Sequence, residues 1–188
     1  MIDAITFLKT RRSTPAKTLQ GPVPTRPEIE ALLEIAARTP DHKKLEPWRF
    51  IVLSETALKR LGPLAEARYK ALGLPAEKLA KTCLQFNDGL LAVAVIASPK
   101  PCDDIPEVEQ TLSAGAACLA LLNGALASGW GANWLSGPMA YDQTFLTQGL
   151  KLEAHEFVAG FIHIATRTTT PPERPRPDMP SITTWQNS

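Results

Sequence analysis

Leu90-Leu91-Ala92-Val93-Ala94-Val95-Ile96-Ala97 is an uninterrupted aliphatic octet closed by Ser98-Pro99. A run that short, bounded by a breaker, reads as a central strand buried on both faces. Such a strand needs cover from other elements, so the flanking segments decide the architecture.

Downstream, Pro106 to Ser128 reads as the longest helix, stopped by Gly129. Its middle, Ser113-Ala114-Gly115-Ala116-Ala117, is small enough for another backbone to approach closely. Ala132 to Ser136 reads as a strand, Asp142 to Leu150 as a helix and Phe157 to Thr166 as a strand. Upstream, Trp48 to Leu53 is a strand by composition, with Trp48, Phe50 and Val52 on one face. Residues 56–84 read as two or three helical pieces broken at Gly73-Leu74-Pro75. Thr25-Arg26-Pro27-Glu28 is a capping box opening a helix whose Ile29, Leu32, Leu33 and Ala36 share a face. Residues 2–10, with Ile2, Ile5 and Leu8 at helical spacing, read as a short amphipathic helix that Pro15 prevents from continuing. Strands separated by helices of different lengths imply a mixed α/β layout, with helices packed on a modest sheet.

The chain has 188 residues, 44% of them hydrophobic and 21% charged, which suits one globular domain with its own core. Residues 1–170 form that domain. After Arg167 no apolar period survives, and five prolines lie between Pro171 and Pro180. Residues 171–188 therefore read as an arm that is ordered only against another surface, and Ile182-Thr183-Thr184-Trp185 favours such docking. Twenty basic against nineteen acidic residues provide no global field for a polyanion. Cys83, Cys102 and Cys118 are odd in number without C-x-x-C spacing, which argues against a disulfide framework or structural zinc and fits a reducing cytoplasm. The N-terminus lacks a signal-peptide pattern. Thr111 to Tyr141 carries no charge, but its Asn, Gly and Pro interruptions favour a core helix plus a strand over a membrane span.

Three constellations carry chemistry. Arg11-Arg12-Ser13, at a helix end, supplies two guanidinium forks and a hydroxyl for a phosphate; the plainer reading is complementation of the helix dipole. Arg38-Thr39-Pro40-Asp41-His42 sets His42 beside Asp41, although Asp after Pro is commonly a turn residue. His42, His155 and His163 are the only histidines, and no ligand spacing joins them to carboxylates, so no metal site is expected. Gly129-Trp130-Gly131-Ala132-Asn133-Trp134-Leu135-Ser136-Gly137-Pro138 permits close approach to a flat heteroaromatic ligand, or is simply a helix cap followed by a strand. Phosphate-binding glycine motifs and hydrolase signatures are absent.

In this order, Arg11-Arg12-Ser13, Arg38, Pro40-Asp41-His42, Pro47-Trp48-Arg49-Phe50 and Trp134-Leu135-Ser136-Gly137 resemble the nitroreductase-like flavoproteins, nearest their small NAD(P)H nitroreductase subgroup. The resemblance spans roughly residues 2–182. It implies an α+β fold with a central, mostly antiparallel sheet flanked by helices, and a homodimer with FMN at the subunit interface and the C-terminal arm on the partner. It further implies an NAD(P)H oxidoreductase that passes hydride through FMN to nitroaromatic or quinone-like acceptors in two alternating steps. By position, Arg11, Arg12 and Ser13 belong to the FMN set of one subunit, Arg38 and His42 complete it from the other, and Trp134, Leu135 and Ser136 lie along the flavin. Gly124, Ala125, Leu126, Ala127, Ser128 and Gly129 match the subgroup's NAD(P) segment, although they also read as core helix. Leu135 stands where related chains carry a polar or basic residue. Because the cofactor supplies the redox chemistry, no acid/base triad is needed. A flavin carrier or sensor without turnover, or another reaction of the same fold such as reductive dehalogenation, are the alternatives.

Overall fold

The computed structural model describes residues 3–187; Ile2 of the first expected helix lies outside them. Five strands form one sheet: β1 (Leu19–Gln20), β2 (Trp48–Ser54), β3 (Leu91–Ala97), β4 (Gly131–Leu135) and β5 (Phe157–Arg167). Every pairing is antiparallel. β5 is the spine: His163 faces Ala92 of β3 and Asn133 of β4 at the same point, so those two strands lie on opposite edges of it. β2 pairs outside β3 along its full length.

The aliphatic octet behaves as its composition dictates: every residue of β3 is buried. The side chains divide by alternation between two cores. Ala92, Ala94 and Ile96 face α3 (Glu55–Ala71), α4 (Leu79–Asn87) and α6 (Gln143–Phe145), in a core with Leu58, Leu61, Phe86, Phe145 and Phe161. Leu91, Val93 and Val95 face α2 (Arg26–Ala36) and α5 (Glu107–Ala127), with Ile29, Leu32, Cys118, Leu121 and Ile164. On the first side Phe86 packs edge-on to Phe161 and tilted against Phe145, geometries that aromatic quadrupoles favour.

The local signals for α2 are realised. The Glu28 carboxylate accepts from the Thr25 amide at 2.8 Å and from its hydroxyl at 2.6 Å, and Pro27 sits in the first turn. In α1 (Ala4–Thr10) the Asp3 carboxylate caps the Ile5 and Thr6 amides. α5 is long and apolar enough to cross a membrane, but one flank of it is built into the second core.

The strand over 48–54 carries Trp48, Phe50 and Val52 on one face as expected, while the helix expected over 142–150 needed correction. Trp48 and Phe50 pack into the α5-side core, whereas Val52, two residues further along the edge strand, is 45% exposed; period two sets the face, but no helix covers that end of it. The expected helix over 142–150 is a single turn followed by a π turn, Leu146–Leu150, ending at left-handed Lys151. The Gly149 Cα there abuts Leu61 and Leu64, so that a Cβ would lie 2.8 Å from the Leu61 side chain.

Beyond β5 the described residues are exposed, apart from half-buried Pro171. It runs back past Arg12 to a short helix, α7 (Met179–Ile182), whose Met179 and Ile182, with Trp185, leave their side chains in solvent.

Candidate functional site

Arg11 is the C-cap residue of α1, and its amide bonds to the Phe7 carbonyl. The next residues are pinned to β4: the Thr14 amide donates to the Ala132 carbonyl and the Asn133 carboxamide donates to the Thr14 carbonyl, each at 2.9 Å. That double latch fixes where Arg11, Arg12 and Ser13 project. The Arg11 Nη2 donates to Ser13 Oγ at 2.9 Å, while its Nε is buried without a partner. Burial, then the neighbouring Arg176 and Arg12 charges, hold the Arg11 pKa below its ordinary value. An unsatisfied buried donor among like charges is costly in isolation and suits an anion. The dipole-complement reading of Arg11 does not explain that orphaned Nε.

Immediately after this segment, Pro15, Ala16 and Lys17 form one wall of a cavity of about 620 Å³. Across it stand Lys81, Gln85 and Gly89 from α4 and its end, with Leu135, Ser136 and His163 from the sheet. The volume falls in the usual small-molecule range. Gln85 is 8% exposed and donates weakly to the Ser136 carbonyl at 3.3 Å, leaving its Oε1 unpartnered. His163 is 2% exposed with Nε2 unpartnered, and burial pushes its pKa down to about 4, so the ring is neutral at pH 7. Sequence reasoning weighed His163 only as a metal ligand and passed over Gln85. Their signal was a polar residue on the apolar face of a helix, and a histidine inside Phe161-Ile162-His163-Ile164.

Leu135 and Ser136 line this cavity, and Trp134 does not. Successive strand residues face opposite ways, and the Trp134 indole lies over Gly160, whose added Cβ would fall 2.1 Å from Nε1. Its Nε1 donates to the Ala159 carbonyl at 3.3 Å.

The Pro40-Asp41-His42 turn lies at a second hollow, bounded by Glu109, Leu112, Ser113 and Ala116 of α5. Ser113 donates to the Pro40 carbonyl at 2.8 Å and accepts from the Trp48 indole at 3.0 Å, which is the close approach that the small middle of α5 permits. Asp41 is a turn residue: its carboxylate accepts from the Leu45 and Glu46 amides. His42 Nδ1 sits 2.8 Å from Glu109 Oε2. Lys43, Lys44 and Glu46 all have left-handed φ, strain of a kind that concentrates at ligand clamps. Arg38 is exposed just past α2. Within one chain, neither Arg38 nor His42 lines the cavity.

Gly124 and Ala125 are buried, and the Gly124 Cα abuts the Ile35 side chain of α2. Gly129, at φ 91°, terminates α5. The 124–129 segment lines neither hollow; its visible work is helix packing and capping. Among the described residues no group of three metal-ligating side chains converges. Cys83 and Cys118 are buried free thiols, the latter pushed up to about 12 by burial.

The molecule is a two-sided α+β sandwich in which a pair of arginines, one with an orphaned buried donor, precedes a loop that walls a cavity of small-molecule size. Residues 8–166 match the model of the Nitroreductase family, and the chain belongs to that family. It is 34% identical over 166 residues to a Haemophilus influenzae protein named "Putative NAD(P)H nitroreductase", covering 88% of this chain and 89% of that one. Among solved structures, a Bacillus cereus nitroreductase-like family protein superposes with a TM-score of 0.82 at 19% identity, covering 100% and 98% of the two chains. A Bacteroides fragilis nitroreductase with bound FMN gives 0.76 at 17% identity, covering 99% and 100%.

Proposed function

We propose that this protein is an FMN-dependent NAD(P)H oxidoreductase acting on nitroaromatic or quinone-like acceptors. The observation that carries the reading is the orphaned, buried Nε of Arg11 within a chain segment that runs directly into the wall of a small-molecule-sized cavity. The donor set fits FMN: Arg11, Arg12 and Ser13 would hold the phosphate by charge-assisted hydrogen bonds, and the cavity between Pro15–Lys17, Gln85 and Leu135–Ser136 would take the ring system. When bound, FMN supplies hydride acceptance and donation, alternately toward NAD(P)H and the acceptor. The chain's own residues bind, orient and exclude water. Gln85 Oε1 would be free to accept from a ring N–H, and His163 would line the site as a neutral ring.

The reading includes a homodimer with a shared site. α5 exposes Val108, Leu112 and Leu119 along one flank, an apolar stripe at helical spacing that passes the His42 hollow. A second copy on that stripe would cover His42 and Arg38 and bring them to the flavin of the opposite subunit. The exposed Met179, Ile182 and Trp185 of the arm would dock on the partner, leaving residues 1–170 as the folded domain. Three unpaired thiols suit a reducing cytoplasm. In this reading Gly124–Gly129, the segment that the resemblance assigns to the nicotinamide nucleotide, would meet that cofactor.

The test is the absorption spectrum of the purified protein followed by steady-state assay. The protein is expected to be yellow, to release FMN rather than FAD, and to oxidise NADH or NADPH faster when a quinone or nitroaromatic is added. A colourless protein unchanged by FMN titration defeats the proposal, and a yellow protein without turnover reduces it to flavin binding.

A further inference from the structure

α4 turns one polar face to the cavity. Lys78, Lys81, Thr82 and Gln85 all line it, and their spacing of three, four and seven residues is that of a single helix face. Along that face the chemistry changes. Gln85 is buried with Oε1 unpartnered, whereas Lys78 and Lys81 are exposed at the end where α4 begins. Lys17, also exposed, lines the cavity from the loop opposite. Lys78 is the N-cap residue of α4 and Lys81 lies in its first turn, with no acidic residue in that turn and no side-chain cap. A helix N-terminus is the positive end of the macrodipole and disfavours ammonium groups, so helix stability does not account for the pair. Among the described residues none of the three lysines forms an ion pair. Asp88 is the one carboxylate in the lining, and Glu77, beside Lys78 in the chain, stays outside it. Three ammonium groups against one carboxylate leave two positive charges around the cavity.

Arg11 and Arg12 do not line this cavity. In the flavin reading they take the single phosphate of FMN, which leaves the lysines without an anion. We infer that the lysine rim selects the second ligand: the site takes electron acceptors that carry a carboxylate on the reacting aromatic ring, held by Lys78 and Lys81 with Lys17 opposite. The inference rests on the flavin reading for the reaction and on the charge of the rim for the substrate class. Leu84, Leu90 and Leu135 supply apolar wall for the ring. An aromatic acid fits better than a dinucleotide because its charge lies on the ring itself. Lys81 stands one helical turn, about 5.4 Å, from Gln85, whereas the phosphates of NADH and NADPH lie beyond a ribose.

The experiment compares 4-nitrobenzoate with its neutral isostere 4-nitrobenzamide in FMN-loaded wild type and in the double variant Lys78→Gln/Lys81→Gln. Lys59→Gln, at an exposed lysine of α3 outside the cavity, is the control for net charge. Circular dichroism checks folding, and flavin absorbance gives FMN occupancy. The ratio of kcat/KM for the carboxylate to that for the amide should fall about three- to tenfold in the double variant, the scale for exposed charge pairs, and should hold in Lys59→Gln. Added salt should lower the ratio more in wild type than in the double variant. An unchanged ratio overturns the proposal, and so does an equal fall in Lys59→Gln. Loss of FMN from the double variant, which would give the rim to the flavin, also overturns it. So does a raised KM confined to NADH and NADPH, which would give the rim to the nucleotide phosphates. If wild type binds no FMN and reduces neither nitroarene, the flavin reading fails and calorimetric titration of the two compounds decides this one. Tighter binding of the carboxylate that disappears in the double variant sustains it; a preference that survives the substitutions, or none in wild type, overturns it.

Discussion

Replacing Arg11 by alanine is expected to move two quantities in opposite directions. In the free protein the guanidinium is a liability: its buried Nε lacks a partner, and Arg12 and Arg176 stand close by. Leaving a buried donor unpaired costs roughly 1–3 kcal/mol. Since Arg11 is only half-buried and keeps its bond to Ser13, the lower end applies. Arg11→Ala should therefore leave the flavin-free protein unchanged or more stable by up to about 1 kcal/mol. Toward FMN the same change removes a charge-assisted hydrogen bond, worth about 1.5–3 kcal/mol, or roughly a ten- to hundredfold rise in Kd. At FMN equal to 100 times the wild-type Kd, ligand binding stabilises wild type by about 2.7 kcal/mol and the variant by about 1.4 kcal/mol or less. Urea denaturation with and without FMN, read by tryptophan fluorescence, measures both. Arg26→Ala is the control: its side chain is 89% exposed and pairs only with Glu30 across one helical turn, so neither quantity should move. A variant that loses free-state stability yet keeps wild-type FMN affinity would show that Arg11 serves the helix end and would refute the reasoning.

Glu156, 4% exposed, accepts a bidentate pair of bonds from Arg49 at 2.7 and 2.6 Å, and these hold its carboxyl down at about 2. A depressed folded pKa contributes stability above the ordinary carboxylate range that is lost as pH falls from about 4.5 toward 2. With Arg49 42% exposed, about 1–2 kcal/mol is expected; urea midpoints at pH 6 and pH 3 should fall less in Glu156→Gln than in wild type, and parallel losses would deny the pair its role. Leu112→Asp, on the exposed flank of α5, should leave the subunit folded while light scattering reports a monomer and bound FMN declines; an unchanged dimer would place the interface elsewhere. Ending the chain after Thr170 should weaken dimerisation and FMN retention together, and a dimer with full FMN would make the arm dispensable.

The elements themselves were legible in the amino-acid order because their causes are local. An all-aliphatic run of strand length has to be covered on both faces, a Thr-x-x-Glu box with proline satisfies its own helix terminus, and Gly129 at left-handed φ ends α5 by itself. The arginine pair at the end of α1 was equally visible, whereas the turn role of Asp41, one of two readings of its sequence, was decided by its bonds to the Leu45 and Glu46 amides. Other features depended on how rigid elements meet, which no period records. Arg49 and Glu156 find each other 107 residues apart, and Arg12 and the Pro172 carbonyl 160 apart. The close approach of Gly149 to Leu61 and Leu64 of α3 and the exposure of Val52 likewise belong to the packed molecule. The cavity is the clearest case. Its walls come from the Pro15–Lys17 loop, α4, β4 and β5, and its volume is the space left when those elements pack. Which residues of β4 face it was fixed by strand pairing with β5, since the same register that turns Leu135 inward lays Trp134 over Gly160.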